Sequence, residues 1–186
     1  MLKTKLKEYL AKTPIIAAAH ENNWQDAINS PVKVVLCCAS NIMNIKDKID
    51  ECHKHGKIVF IHIDLSDGIG KDKAGVEFLA KCGIDGIVST RGNIVKYARE
   101  QGLITIQRFF ALDSKGVASI QDLTSSSKPD FIEIMPGVIT KIIKQVAKGS
   151  IPVMVGGLID TKEEIAEAVK SGAIAISTSK KDLWNV

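Results

Sequence analysis

Aromatic side chains are scarce in this sequence, at 5% of residues, with two tryptophans and two tyrosines. A wide stacking platform is not evident, no RNA-binding module signature occurs, and Trp24 and Trp184 read as packing residues. Cysteine is sparse as well. Cys37, Cys38, Cys52 and Cys82 show no CxxC spacing, which argues against a metal site or a disulfide framework and for thiols used as small apolar side chains in a reducing compartment. No apolar run approaches the ~20 residues of a membrane span. The opening MLKTKLKEYL is charged and amphipathic, without the apolar stretch of a secretory leader, so a cytoplasmic location is expected. No glycine fingerprint follows the first expected strand, where Ala17-Ala18-Ala19-His20-Glu21-Asn22 stands, which weighs against an open doubly wound sheet. A net charge of +4 is too small to argue for nucleic acid by itself, and it does not oppose an anionic partner.

What is present is a regular alternation. Residues 1–13 read as a leading helix with Leu2, Leu6, Tyr9 and Leu10 on one face and lysines on the other. Expected strands follow at 14–19, 33–39, 57–64, 85–89, 103–108, 130–134, 153–155 and 173–176. Helices lie between them, several ended by glycine: Gly56, Gly83, Gly102 and Gly172. Asp113 reads as the N-cap of the helix after the fifth strand. Strands alternating with helices of 10–15 residues imply βαβ units, and eight of them imply a closed barrel. The expectation is a compact (β/α)8 barrel of the TIM type with a leading helix, one domain over residues 1–186.

In such a barrel, function sits at the carboxyl ends of the strands. Alternation sends Phe60, His62 and Asp64 inward on the third strand, and Phe131, Glu133 and Met135 inward on the sixth. On the fifth strand it sets Thr105 and Gln107 inside and Ile104 and Ile106 outside, so that Arg108 leaves with the isoleucines unless it swings over the rim. On the eighth, Ile174 and Ile176 face out, Ala175 and Ser177 in. The result is a polar ring of His62, Asp64, Gln107, Glu133 and Ser177 below the mouth. Unpaired, such groups cost ~1–3 kcal/mol each, which a core built only for stability avoids. Asp64 and Glu133 suit either a general acid–base pair or ligand hydroxyls and pairing with Arg108. Gly156, Gly157, Ser177, Thr178 and Ser179, after the seventh and eighth strands, suit a phosphate, because glycine lets backbone N–H groups approach an anion and helix starts favour one. Lys141, Lys144 and Lys148 form one stripe of the sixth barrel helix, which taken alone is a solvated face. No metal site and no cofactor are expected.

Six phrases at the strand ends carry a resemblance: FIHIDL (60–65), DGIVSTRGNIVKYA (85–98), TIQRFFALDS (105–114), KPDFIEIMPGVITKIIK (128–144), GGLI (156–159) and AIAISTS (173–179). Together they resemble the glycerol-3-phosphate-responsive antiterminator family, the glycerol uptake operon regulators, in register from Pro14 to Trp184. Thr140 and Arg91 depart from residues common in that family. The resemblance implies a barrel that binds glycerol 3-phosphate and then the leader of an mRNA, preventing premature termination. It implies a regulator rather than an enzyme, with no cofactor beyond its effector. Arg91, Phe109, Phe110 and Lys141 are then the candidate RNA contacts, motivated by Arg108 standing beside two aromatics at a strand end. Two rivals stay open. One is a phosphate-binding barrel enzyme, a phosphosugar isomerase or lyase using Asp64 and Glu133. The other is a ligand sensor for a protein partner. A homo-oligomer is compatible with all three.

Overall fold

The computed structural model describes residues 2–111 and 114–185. Asp113, expected to cap a helix, lies outside the described residues.

Eight parallel strands close into a barrel: β1 (Ile15–Ala19), β2 (Val34–Cys37), β3 (Ile58–His62), β4 (Gly86–Ser89), β5 (Ile104–Phe110), β6 (Phe131–Met135), β7 (Val153–Gly156) and β8 (Ala173–Thr178), each paired with its sequence neighbours and β8 with β1. The helices are α1 (Leu2–Lys12), α2 (Trp24–Asn29), α3 (Ile45–Lys54), α4 (Lys73–Lys81), α5 (Gly92–Glu100), α6 (Ser114–Ser127), α7 (Thr140–Val146) and α8 (Lys162–Lys170). α1 precedes the barrel, and a 3-10 helix at Lys181–Asn185 takes the place of the helix after β8. No helix among the described residues is long and apolar enough to cross a membrane.

Alternate side chains of the strands feed two apolar layers. Val59, Ile61, Ile63, Ile132, Ile134, Val155 and Ile176 meet the helices. Leu36, Phe60, Val88, Ile106, Phe131 and Met154 fill the barrel. Leu6 and Leu10 of α1 join this inner layer. Because α1 runs directly into β1, they close the amino-terminal end, and burying each stabilises by about 1.5–3 kcal/mol. Lys3 Nζ fixes the helix to Asp130, ahead of β6, at 2.6 Å. The barrel is thus sealed at one end, and its polar residues collect at the other.

Two faces differ from the sequence expectation. On β5, Ile104 and Ile106 point inward, and Thr105 and Gln107 point to the helices. Buried strands of a parallel barrel are apolar on both faces, so aliphatic residues alone do not mark the outer one. The outward polar groups are satisfied: the Thr105 amide and hydroxyl donate to Asp130 Oδ2, and Ser127 Oγ donates to Gln107 Oε1. Gln107 is therefore not part of the mouth, and Arg108 takes its place. On β8, the register shifts between Ala173 and Ala175, and Ile174 packs with the inner layer beside Leu2 and Tyr9 instead of facing the helices.

Candidate functional site

The site is built where β3, β5, β6, β7 and β8 end. Arg108 and Glu133 are register partners on β5 and β6 and are only 8% and 2% exposed. Arg108 Nε donates to Glu133 Oε2 at 2.7 Å, and Ser177 Oγ donates to Glu133 Oε1 at 2.5 Å. Both carboxylate oxygens are thereby occupied. Among the described residues no other hydrogen bond or ion pair engages the Arg108 guanidinium, so its two Nη groups remain unspent. The carboxylate holds the arginine by one edge and offers the other to the mouth. Gly156 lies over this chain. A Cβ there would stand 2.3 Å from Ser177 Oγ and 3.0 Å from Glu133 Oε1, so only glycine fits.

The turn after β7 continues with Gly157 at φ 75° and Leu158 at φ 60°, two successive left-handed residues. Their N–H groups make no hydrogen bond among the described residues. Runs of unpaired N–H groups in such turns favour anions. Gly137 N donates to Gly156 O at 2.7 Å and to Gly157 O at 3.0 Å, which ties the loop after β6 to this turn. Leu158 was not anticipated, because a left-handed leucine carries no sequence mark of its conformation.

The remaining expected residues fall into three groups. Thr178 faces the helix side and donates its hydroxyl to Ile159 O at 3.2 Å, so it joins two loops and is not an open donor. The Ser177 hydroxyl is likewise already given to Glu133. Ser179 is exposed beside them. Asp64 lies two residues beyond β3, in a 3-10 turn at Ile63–Leu65, rather than on the strand. It accepts from Ser89 Oγ at 2.8 Å, Thr90 N at 2.8 Å and Thr90 Oγ1 at 3.0 Å. Burial pushes its carboxyl up, but these hydrogen bonds outweigh burial and hold it below the ordinary carboxylate value. It clamps the loop after β4, with Arg91 Nε 3.9 Å away on the exposed side.

Phe109 is 9% exposed and packs in the outer layer, so the expected aromatic pair is corrected: Phe110 alone, 53% exposed, reaches the surface. Lys141 is exposed on α7, in a stretch from Ile134 to Ile159 that holds no acidic residue. The rim is apolar elsewhere. Among the described residues, the exposed large hydrophobics apart from Leu123 and Val169 all stand at the carboxyl ends of strands: Ile42, Met43, Leu65, Phe110, Val138 and Leu158. A short parallel ladder, Ser40–Asn41 with Ser66–Asp67, braces the loops that carry Ile42 and Leu65.

His62, at the end of β3, points inward and is 5% exposed, and neither ring nitrogen has a partner. Burial, and then the Arg108 charge, lower its pKa to about 4 against the opposing pull of Asp64 and Glu133, so the ring is neutral at pH 7. Cys38, on the neighbouring wall, is a neutral thiol, pushed up to about 12 by burial. No group of three His, Cys, Asp or Glu side chains among the described residues is arranged to hold a metal ion.

The profile of the family described as "Glycerol-3-phosphate responsive antiterminator" matches residues 15–184. A glycerol uptake operon antiterminator regulatory protein from Listeria monocytogenes is similar in structure, with a TM-score of 0.88 and 34% identity over 92% of this chain and 95% of that one. A glycerol uptake operon antiterminator-related protein from Thermotoga maritima superposes with a TM-score of 0.82 and 31% identity, over 91% of this chain and 96% of that one. An uncharacterized Escherichia coli protein, YgcP, is 33% identical over 97% of this chain and 96% of its own. Matched along nearly its whole length, this chain belongs to the glycerol-3-phosphate responsive antiterminator family.

Proposed function

We propose that this protein is a cytoplasmic regulator whose barrel mouth binds glycerol 3-phosphate and, so loaded, binds the leader of an mRNA from glycerol uptake genes to prevent termination. The observation that carries the reading is the Arg108 guanidinium, fixed at Nε by Glu133 and with no second partner among the described residues, at the same end of the barrel as the Gly157–Leu158 turn. A phosphate dianion meets a pre-oriented cation on one side and unpaired N–H groups on the other. Glu133 takes the charge-pairing role there, holding Arg108 in place for the ligand.

The coupling follows from β5. Phe110 lies two residues beyond Arg108 on the same face, so a ligand that restrains Arg108 restrains Phe110. Phe110, Arg91 and Lys141 then offer one aromatic surface and two cations to single-stranded RNA, whose bases stack on aromatic faces.

The commitments of the carboxylates support regulation over catalysis. Glu133 is spent on Arg108 and Ser177, and Asp64 on Ser89 and Thr90. A carboxylate held below its ordinary pKa is a weak general base.

The test is thermal stability with glycerol 3-phosphate, glycerol and inorganic phosphate in parallel, with product analysis. Ligand at ~100 times its dissociation constant adds about 2.7 kcal/mol, or about 5–11 °C. The expected result is a shift with glycerol 3-phosphate well beyond that with phosphate, and no product. Equal shifts, or turnover, would overturn the reading.

A further inference from the structure

Among the described residues, the two nitrogens of His62 and the hydroxyl of Ser171 are the buried side-chain polar atoms left without a partner. Ser171 sits at the end of α8, away from the mouth, whereas His62 ends β3 with its ring on the inward face shared with Phe60. Nothing around the ring serves it. Its register partner on β4 is Val88, and Cys38 extends β2 on the other side. Arg108 directs its hydrogen bond to Glu133 and makes none with the ring. Asp64 Oδ2 stands 3.9 Å from Nε2, beyond hydrogen-bond length, and already accepts from the Thr90 amide and hydroxyl. The two carboxylates of the mouth, Glu133 and Asp64, are matched by protein donors, and the His62 ring is not.

We propose that His62 is the hydroxyl-reading residue of this site, pairing with the free hydroxyls of a phosphorylated polyol and so setting selectivity against phosphates that lack them. The inference rests on the ligand reading above. A neutral imidazole carries one N–H donor and one acceptor nitrogen, which match a hydroxyl that both donates and accepts. An uncharged ring adds no attraction for the phosphate, which is the task of Arg108 and the β7 turn. A site built around a hydroxyl discriminates strongly against the analogue without it, because its own buried polar atoms stay unpaired.

Calorimetric titration of the full chain with glycerol 3-phosphate and with propyl phosphate, which keeps the phosphate and carbon chain but no hydroxyl, tests this. Wild-type protein is expected to prefer glycerol 3-phosphate by about a hundredfold or more. His62→Ala, with its fold checked by circular dichroism, is expected to lose about tenfold or more for glycerol 3-phosphate and under about twofold for propyl phosphate, collapsing the ratio. His62→Gln, whose amide also donates and accepts, is expected to keep more of the preference than alanine. In the wild-type protein the His62 ring 15N resonances are expected to move with glycerol 3-phosphate and not with propyl phosphate, a readout independent of either variant. A folded His62→Ala that keeps the wild-type ratio, or loses both ligands alike, overturns the role of His62 alone. Still ring resonances do the same. A wild-type protein with no preference for glycerol 3-phosphate overturns the ligand reading and this inference together.

Discussion

Replacing Glu133 with glutamine separates the structural and ligand-binding uses of the mouth. Glutamine keeps one acceptor oxygen for Arg108 Nε and turns the other position into an NH2 that can donate to the Ser177 hydroxyl, but it removes the charge that balances a guanidinium only 8% exposed. An uncompensated buried charge costs about 3–5 kcal/mol. For a chain of this size that lowers the melting temperature by about 6–20 °C. Removing the whole chain with Arg108→Met, Glu133→Met and Ser177→Ala leaves no charge and no orphan hydroxyl, so most of the stability is expected to return. Glycerol 3-phosphate binding is expected to disappear in the triple variant, because the Nη groups are gone. Thermal denaturation and calorimetric titration read the two effects separately. A Glu133→Gln midpoint within about 2 °C of wild type would refute the energetic argument. Wild-type ligand affinity in the triple variant would refute the site.

Three further outcomes are expected. Gly156→Ala places a Cβ 2.3 Å from Ser177 Oγ; it is expected to cost about 1–3 kcal/mol in urea unfolding and at least about tenfold in ligand affinity, and an unchanged profile contradicts the packing. The folded-state pKa of His62, about 4, lies below its ordinary 6.5, so as pH falls the unfolded chain takes up the proton first and stability present above pH 6.5 drains away down to pH 4. That component is about 3 kcal/mol, so His62→Gln is expected to flatten the stability slope between pH 7 and 4, and a slope as steep as wild type contradicts it. Replacing Lys141, Lys144 and Lys148 by alanine is expected to reduce the salt slope of RNA binding by about 2 while leaving the melting temperature unchanged, and an unaltered slope removes α7 from the RNA surface.

The barrel is legible because its elements carry local marks. Glycines at 56, 83, 102 and 172 follow helices that end before them, and Asp72 and Thr161 cap α4 and α8 through Gly75 N and Glu164 N. The inward faces of β3 and β6 are legible because His62 and Glu133 alternate with isoleucines. β5 is not, because its isoleucines went inward and its polar residues found partners on Asp130 and Ser127, contacts about 20–25 residues away that no local pattern encodes. With that face reversed, Gln107 leaves the mouth for Ser127 and Arg108 enters it beside Glu133. The phosphate turn is legible at Gly156-Gly157, but which hydroxyls stay open is not: Ser177 and Thr178 look alike in sequence and are each taken by a different tertiary partner. The plug formed by Leu6 and Leu10 is visible only as an amphipathic helix until the open end of the barrel is known.

The most direct test of effector-controlled RNA binding at this mouth is the affinity of labelled glycerol-operon leader RNA with and without glycerol 3-phosphate, for wild type and Arg108→Ala. The account predicts that saturating glycerol 3-phosphate tightens RNA binding by about tenfold or more, that RNA tightens the ligand by the same factor, that inorganic phosphate does neither, and that Arg108→Ala abolishes the effect. RNA affinity indifferent to both glycerol 3-phosphate and Arg108→Ala would contradict it.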